Sequence, residues 1–248
     1  MKIWAHRGCS QNYPENTLTS FSKAANLKNV VGIELDTQLT KDGETVVIHD
    51  ERVDRTTNGI GFVRDFTLKE LKQLAIYTGG DKIERIPTLK EVFELLSDKL
   101  KVDDEFKLNI ELKNSVYYYE GMEEKTINLA AKMGVTDSIV YSSFYTKSIA
   151  KVREILPTAN IAVLDTLVSN CLYKSYGFAK DVGDAKQIAL HPFWRGIDLT
   201  PQELNGRIVR AWFGGHLFPE KPTGNRLDFA LLKAHGITDV MINEPEMY

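Results

Sequence analysis

Short apolar runs recur along the whole 248-residue chain, and their spacing constrains the fold more than any other feature. They fall at residues 2–5, 32–35, 107–112, 138–142, 160–164, 187–190, 207–212 and 239–242. Runs of this length rich in Val, Ile and Leu read as buried strands. Between several of them, at 17–27, 120–133, 146–156 and 226–235, apolar residues return at three- and four-residue intervals, the spacing of an amphipathic helix. Thr17 offers a hydroxyl cap to the first helix, and Gly236 offers a stop just before the last strand. Strands alternating with helices imply parallel pairing. Eight of them predict an α/β chain closed into a (β/α)8 barrel, which places its chemistry at the carboxyl ends of the strands.

Residues 40–106 break the alternation. They hold a further apolar run ending in His49, a turn at Lys41-Asp42-Gly43-Glu44, and short helical patterns near 67–74 and 88–96. The stretch is too long for an ordinary connection. It reads as an insertion after the second barrel strand, packed over the barrel mouth and lining the substrate pocket. With 43% hydrophobic residues, 1–248 is read as one barrel domain carrying that insertion. The Tyr117-Tyr118-Tyr119 run and the Gly79-Gly80 turn carry no mechanism by themselves, and no apolar patch argues for a particular oligomer.

Charge and cysteine content exclude several functions. The 31 basic and 34 acidic residues leave a formal charge of -3, no footprint for bulk binding of nucleic acid or a membrane surface. No run approaches the roughly 18 apolar residues that span a bilayer, so stable membrane insertion is not expected. Cys9 and Cys171 lack metal-type spacing and suggest neither a disulfide framework nor zinc. A reducing, cytoplasmic setting follows as the expectation.

Polar residues at the strand-like runs define the chemistry. Glu34 and Asp36 are two apart on one strand and share a face. Two carboxylates facing inward repel, and a divalent cation removes that penalty. Glu111, on the next parallel strand, supplies a third oxygen, and an all-oxygen set favours Mg2+ or Ca2+, with Mn2+ also accommodated. His6 and His49 end apolar runs and are each followed by a charged residue, Arg7 and Asp50. Such a pair can take a proton on one side of a phosphodiester and return one on the other. Arg7 has the fork to hold phosphate oxygens. His191, His216 and His235 lack that context and read as structural.

Taken together, His6-Arg7-Gly8, Pro14-Glu15-Asn16-Thr17, Glu34-Leu35-Asp36, His49-Asp50 with Arg55-Thr56-Thr57 and Gly59, Pro87-Thr88-Leu89 and Glu111-Leu112-Lys113 resemble, in order, the pattern of glycerophosphodiester phosphodiesterases. The resemblance is dense over the first 113 residues and thinner beyond. It implies a TIM (β/α)8 barrel that hydrolyses glycerophosphodiesters to glycerol 3-phosphate and an alcohol with a divalent metal. It also implies Glu34, Asp36 and Glu111 as metal ligands, His6 and His49 as the acid/base pair, and Arg7 and Lys113 as phosphate-binding cations. Trp212 corresponds to a substrate-side tryptophan, while Glu15, Asn16 and Asp50 correspond to supporting residues. One histidine would activate water or the substrate's glycerol 2-hydroxyl, and the other would protonate the leaving alcohol.

Two segments depart from the family pattern: Gly214-Gly215 after Trp212, and Asn243-Glu244 after the last strand. The first bears on the alcohol preferred. An alternative reading keeps the barrel and the histidines for cleavage of phospholipid headgroups, as in sphingomyelinase D-like or phosphoinositide phospholipase-like relatives. Another is a noncatalytic barrel that captures a phosphorylated metabolite.

Overall fold

The computed structural model describes residues 1–77, 83–180, 182–213 and 226–248, so Gly79, Gly80, Gly214, Gly215 and His216 lie outside the described residues. Chain order begins with β1 (Lys2–His6), α1 (Leu18–Ala25) and β2 (Val30–Leu39), then an excursion of β3 (Thr45–Val47), α2 (Leu68–Leu71), β4 (Ile76–Tyr77) and β5 (Ile83–Glu84). The alternation resumes with α3 (Leu89–Val102), β6 (Lys107–Leu112), α4 (Met122–Met133), β7 (Ile139–Ser143), α5 (Thr146–Ile155) and β8 (Asn160–Asp165). It ends with α6 (Val168–Tyr176), α7 (Val182–Gln187), β9 (Ala189–Pro192), α8 (Pro201–Leu204), β10 (Arg210–Trp212), α9 (Phe229–Ala234) and β11 (Asp239–Ile242).

Among the described residues, eight strands pair in parallel in the order β10, β11, β1, β2, β6, β7, β8, β9. Bridges Leu190–Val209 and Phe193–Trp212 join β9 back to β10 and close the ring. All eight strands coincide with the apolar runs of the sequence, and the (β/α)8 expectation holds. The helices expected from periodicity are α1, α4, α5 and α9. The short α6 and α8 were not signalled, because Ser, Asn and Lys interrupt the first and the second is a single turn started by Thr200 and Pro201.

Alternation along each strand separates core from site. Ile33, Leu35, Leu108 and Ile110 point outward and join Phe21, Phe93 and Val152 in the main core beneath the helices. Their neighbours Glu34, Asp36, Asn109 and Glu111 therefore point into the barrel. Thr17 caps α1 and Thr88 caps α3, each by a reciprocal capping box. The Pro87-Thr88-Leu89 string is thus a helix start.

Residues 40–106 divide into two parts. Beyond the rim, β2 continues into an antiparallel hairpin with β3, in the register Thr37 with Val47 and Leu39 with Thr45. Val46, Ile48, Val53, Val63, Leu71, Ile76 and Ile86 then form a small core of their own. In contrast, α3 belongs to the helical ring, where Leu89, Val92, Phe93, Leu96 and Leu100 enter the main core. No helix among the described residues is long and apolar enough to cross a membrane. Cys9 and Cys171 are both free and buried.

Lower in the barrel, Trp4, Val140, Ala162, Ala189 and Met241 form an inner apolar layer. Arg210 donates through Nε to Asp239 Oδ2 at 3.0 Å, meets His191 Nε2 at 2.9 Å and lies over the Trp4 ring at 3.7 Å. Trp4 Nε1 donates to the same Asp239 oxygen at 3.1 Å. His191 is accordingly structural, and His235 ends α9 with Nδ1 2.8 Å from the Leu231 carbonyl.

Gly32 is paired with Trp4 across β1 and β2, and a Cβ at that position would come within 2.4 Å of the indole ring. The same Cβ would lie 2.7 Å from the Lys107 carbonyl, which cannot move without breaking the sheet. Gly32→Ala is expected to destabilise the fold by about 1–3 kcal/mol through overpacking. Urea denaturation measures this, and an unchanged midpoint would show that the indole shifts freely.

Candidate active site

The strand register assembles the site at the carboxyl end of the ring. His6 is the Cα partner of Glu34, and Asp36 is the partner of Glu111. These four residues are buried, and the ligand oxygens of Glu34, Asp36 and Glu111 lie within 4.8 Å of one another. Burial and the charges of Asp36 and Glu111 push the Glu34 carboxyl well up, against the opposing pull of Arg7. Burial acts on Asp36 in the same sense, but His49, Arg7 and Lys113 outweigh it and hold that carboxyl well below the usual range.

Cations surround the carboxylates. Arg7 Nε lies 3.4 Å from Asp36 Oδ2, and its Nη1 donates to Glu15 Oε1 at 3.0 Å. Lys113 Nζ is 3.0 Å from Glu111 Oε1 and 3.8 Å from Asp36 Oδ1. Burial lowers the basicity of both, yet Asp36 and Glu15 raise Arg7, and Glu111 and Asp36 raise Lys113, so both remain charged.

Local backbone geometry aims these groups. Arg7 sits in the left-handed region at φ 60°, a conformation that costs a non-glycine residue of order 1–3 kcal/mol. Its N–H donates to the Glu34 carbonyl at 3.0 Å and to Glu34 Oε2 at 3.1 Å. Gly8 follows at φ 83°, where a Cβ would meet Ser20 Oγ at 2.5 Å, so glycine alone lets β1 turn tightly onto α1. Asn16 is also left-handed, at φ 56°, and its Nδ2 donates to Asp36 Oδ2 at 2.9 Å. Glu15 and Asn16 are thus both in contact with the cluster, one through Arg7 and one through Asp36.

The two histidines arrive by different routes. His6 Nδ1 meets Asn243 Oδ1 at 2.8 Å, a contact made by the tautomer with its proton on Nδ1 and its lone pair on Nε2, and Nε2 is 3.8 Å from Glu34 Oε2. Burial and the adjacent Arg7 charge push the His6 imidazole down to about 3, so it is neutral. His49 is brought to the cluster by the hairpin, where Ile48 N–H donates to the Asp36 carbonyl at 3.0 Å. Its Nδ1 lies 2.7 Å from Asp50 Oδ1.

Across the ring stands an aromatic wall. Trp212 on β10 packs against Phe193 at 4.7 Å between centroids and meets the edge of Phe144 at 6.2 Å. In the strand order β10 lies opposite β6, so Trp212 faces the carboxylates from the far side.

Three contacts lie outside the site expected from the sequence. Asn243 follows an apolar run and was legible as a strand-end polar residue. Gln38 sits on the Glu34–Asp36 face, and its Nε2 donates to the carbonyls of Ile48, His49 and Asp50 at 3.1, 3.2 and 2.6 Å. Arg55, in a stretch of mixed charge, donates to both Asp50 and Glu15.

The site residues fit a hard cation. Asp36 Oδ1 is buried without a hydrogen-bond partner, and the facing donors are all carboxylate oxygens.

Comparison with known proteins agrees with this geometry. The sequence model of the glycerophosphoryl diester phosphodiesterase family matches residues 6–184. A glycerophosphodiester phosphodiesterase of Caldanaerobacter subterraneus subsp. tengcongensis is 41% identical over 98% of this chain and 94% of its own. The solved structure of a Thermotoga maritima glycerophosphodiester phosphodiesterase superposes with a TM-score of 0.69 at 25% identity, covering 100% of this chain and 96% of that one. An Oleispira antarctica phosphodiesterase, solved with the product sn-glycerol-3-phosphate, gives a TM-score of 0.71 at 25% identity, with 100% and 94% covered. The resemblance read from the ordered motifs is therefore a relationship along the whole barrel, and the chain belongs to the glycerophosphoryl diester phosphodiesterase family.

Proposed function

We propose that this chain hydrolyses glycerophosphodiesters to glycerol 3-phosphate and an alcohol, using a divalent cation and the histidine pair His6 and His49. The observation that carries the reading is the buried triad Glu34, Asp36 and Glu111, flanked by His6, Arg7 and Lys113. The names of the relatives and the product held by the Oleispira neighbour support the same reaction.

Glu34, Asp36 and Glu111 would hold Mg2+, Ca2+ or Mn2+, which when bound polarises a phosphoryl oxygen and offsets its growing charge. Arg7 and Lys113 bind the remaining phosphate oxygens. Neutral His6, with its lone pair on Nε2, takes the proton of the attacking hydroxyl, supplied by water or by the glycerol 2-hydroxyl; in the second case the cyclic phosphate formed is opened by water in a further step to give glycerol 3-phosphate. His49, whose Nδ1 is held by the Asp50 carboxylate 2.7 Å away, protonates the departing alcohol. The Trp212, Phe193 and Phe144 wall receives the organic part of the diester across from the phosphate. In this reading the hairpin of β2 and β3 completes the pocket by delivering His49.

Chelation is expected to abolish release of glycerol 3-phosphate from glycerophosphocholine or glycerophosphoethanolamine, and added Mg2+, Ca2+ or Mn2+ to restore it. Calcium is also expected to raise the melting temperature of the wild type and not of Glu34→Gln. Full turnover after exhaustive chelation, or an equal thermal shift in both proteins, removes the cation from the reading.

His6→Ala and His49→Ala are each expected to lose about 10²–10⁴-fold in kcat. A diester whose leaving group is nitrophenolate departs without a proton, so with that substrate the deficit of His49→Ala shrinks while that of His6→Ala persists. The reverse pattern exchanges the two roles, and near-normal turnover of both variants on natural diesters refutes the pair.

A further inference from the structure

Two of the holds on His49 differ in what they fix. Gln38 fixes the main chain: its Nε2 serves three successive carbonyls, and its Oε1 accepts from Tyr119 Oη at 3.0 Å. Those bonds set the path of the hairpin and are made to the main chain, not to the imidazole. The ring is oriented by Asp50, and the Asp50 carboxylate is itself oriented by Arg55, which donates from Nε to Oδ2 at 2.7 Å and from Nη2 to Oδ1 at 3.1 Å. The other edge of the same guanidinium grips Glu15, from Nη1 to Oε2 at 2.8 Å and from Nη2 to Oε1 at 2.7 Å. Glu15 Oε1 in turn accepts from Arg7. An unbroken line of charge-assisted bonds thus runs from His49 through Asp50, Arg55 and Glu15 to Arg7.

We infer that Arg55 is a positioning residue for proton transfer, a strut that sets the His49–Asp50 pair of the excursion at a fixed distance from the Arg7 loop of the barrel. The inference rests on the acid/base reading of His49. Two carboxylates gripped by opposite edges of one planar cation require a guanidinium, and an ammonium cannot reproduce that geometry. The Arg55 side chain is 28% exposed, and its bidentate contacts to Asp50 and Glu15 form a network that adds to stability as well as to geometry. Its role in geometry is therefore read from kcat against KM and from the His49 ring, not from the melting temperature. Phosphate binding is spared, because Arg7 keeps both Glu15 and Asp36 without Arg55.

Arg55→Lys and Arg55→Ala, each made in the wild type and in His49→Ala, test the strut. In the wild-type background kcat for glycerophosphocholine is expected to fall about 10- to 100-fold, the cost of a misplacement near 1 Å, with KM nearly unchanged. In the His49→Ala background, followed on the same glycerophosphocholine in single-turnover amounts of enzyme, the further loss is expected to vanish. Proton NMR gives a readout independent of turnover: the His49 Nδ1 proton, assigned by its absence in His49→Ala, is expected to broaden in Arg55→Ala. An equal loss in both backgrounds, a rise in KM with kcat kept, or an unchanged Nδ1 resonance overturns the inference. Wild-type turnover in His49→Ala with Arg55 intact removes the acid/base reading, and the strut with it.

Discussion

Repulsion among three buried carboxylates governs the top of this barrel. Charges at the 4.8 Å limit of the triad repel by about 3 kcal/mol per pair at an effective dielectric near 20. Each contact around them offsets that repulsion: Arg7 against Asp36, Lys113 against Glu111, the Asn16 amide on Asp36, and the Arg7 N–H on Glu34. Even the unfavourable φ of Arg7 belongs to this balance, since it turns the backbone N–H and the guanidinium toward the cluster together. Removing one partner from such a set leaves an uncompensated buried charge, which costs more than the pair contributes.

The barrel divides its labour between halves. β1, β2 and β6 carry ionisable groups at their inner carboxyl ends, while β7, β9 and β10 lead into Phe144, Phe193 and Trp212. In the proposed reaction the phosphate and the organic group would meet different walls. Below them Arg210, Asp239, His191 and Trp4 are bonded to one another along the neighbouring strands β9, β10, β11 and β1, beside the inner apolar layer.

The ring of strands was legible because each barrel strand is a bounded apolar run, and Glu34, Asp36 and Glu111 were legible because carboxylates interrupting such runs at two-residue spacing must share an inward face. The route of His49 was not. Its run looks like another strand, yet it pairs antiparallel with the extension of β2 and reaches the site through that hairpin. Arg55 stood among the ordered motifs without a role for a related reason: beside Asp50, Glu51, Arg52 and Asp54 it reads as a solvated charge, and only tertiary structure brings Glu15 to its other edge. The boundary of α3 was obscured by its join to the excursion, since Val46 bridges to Thr88, the cap of that helix.

The bond between His6 and Asn243 spans 237 residues and crosses the seam where β1 meets β11. The tautomer of one proposed reacting group is consequently written by the final strand to join the ring. During synthesis the carboxylates of β2 and β6 and the whole excursion emerge long before that seam can close. A partly made chain would hold an acidic, cation-attracting hollow with an unoriented imidazole beside it, and competence would arrive in one step with the last strand.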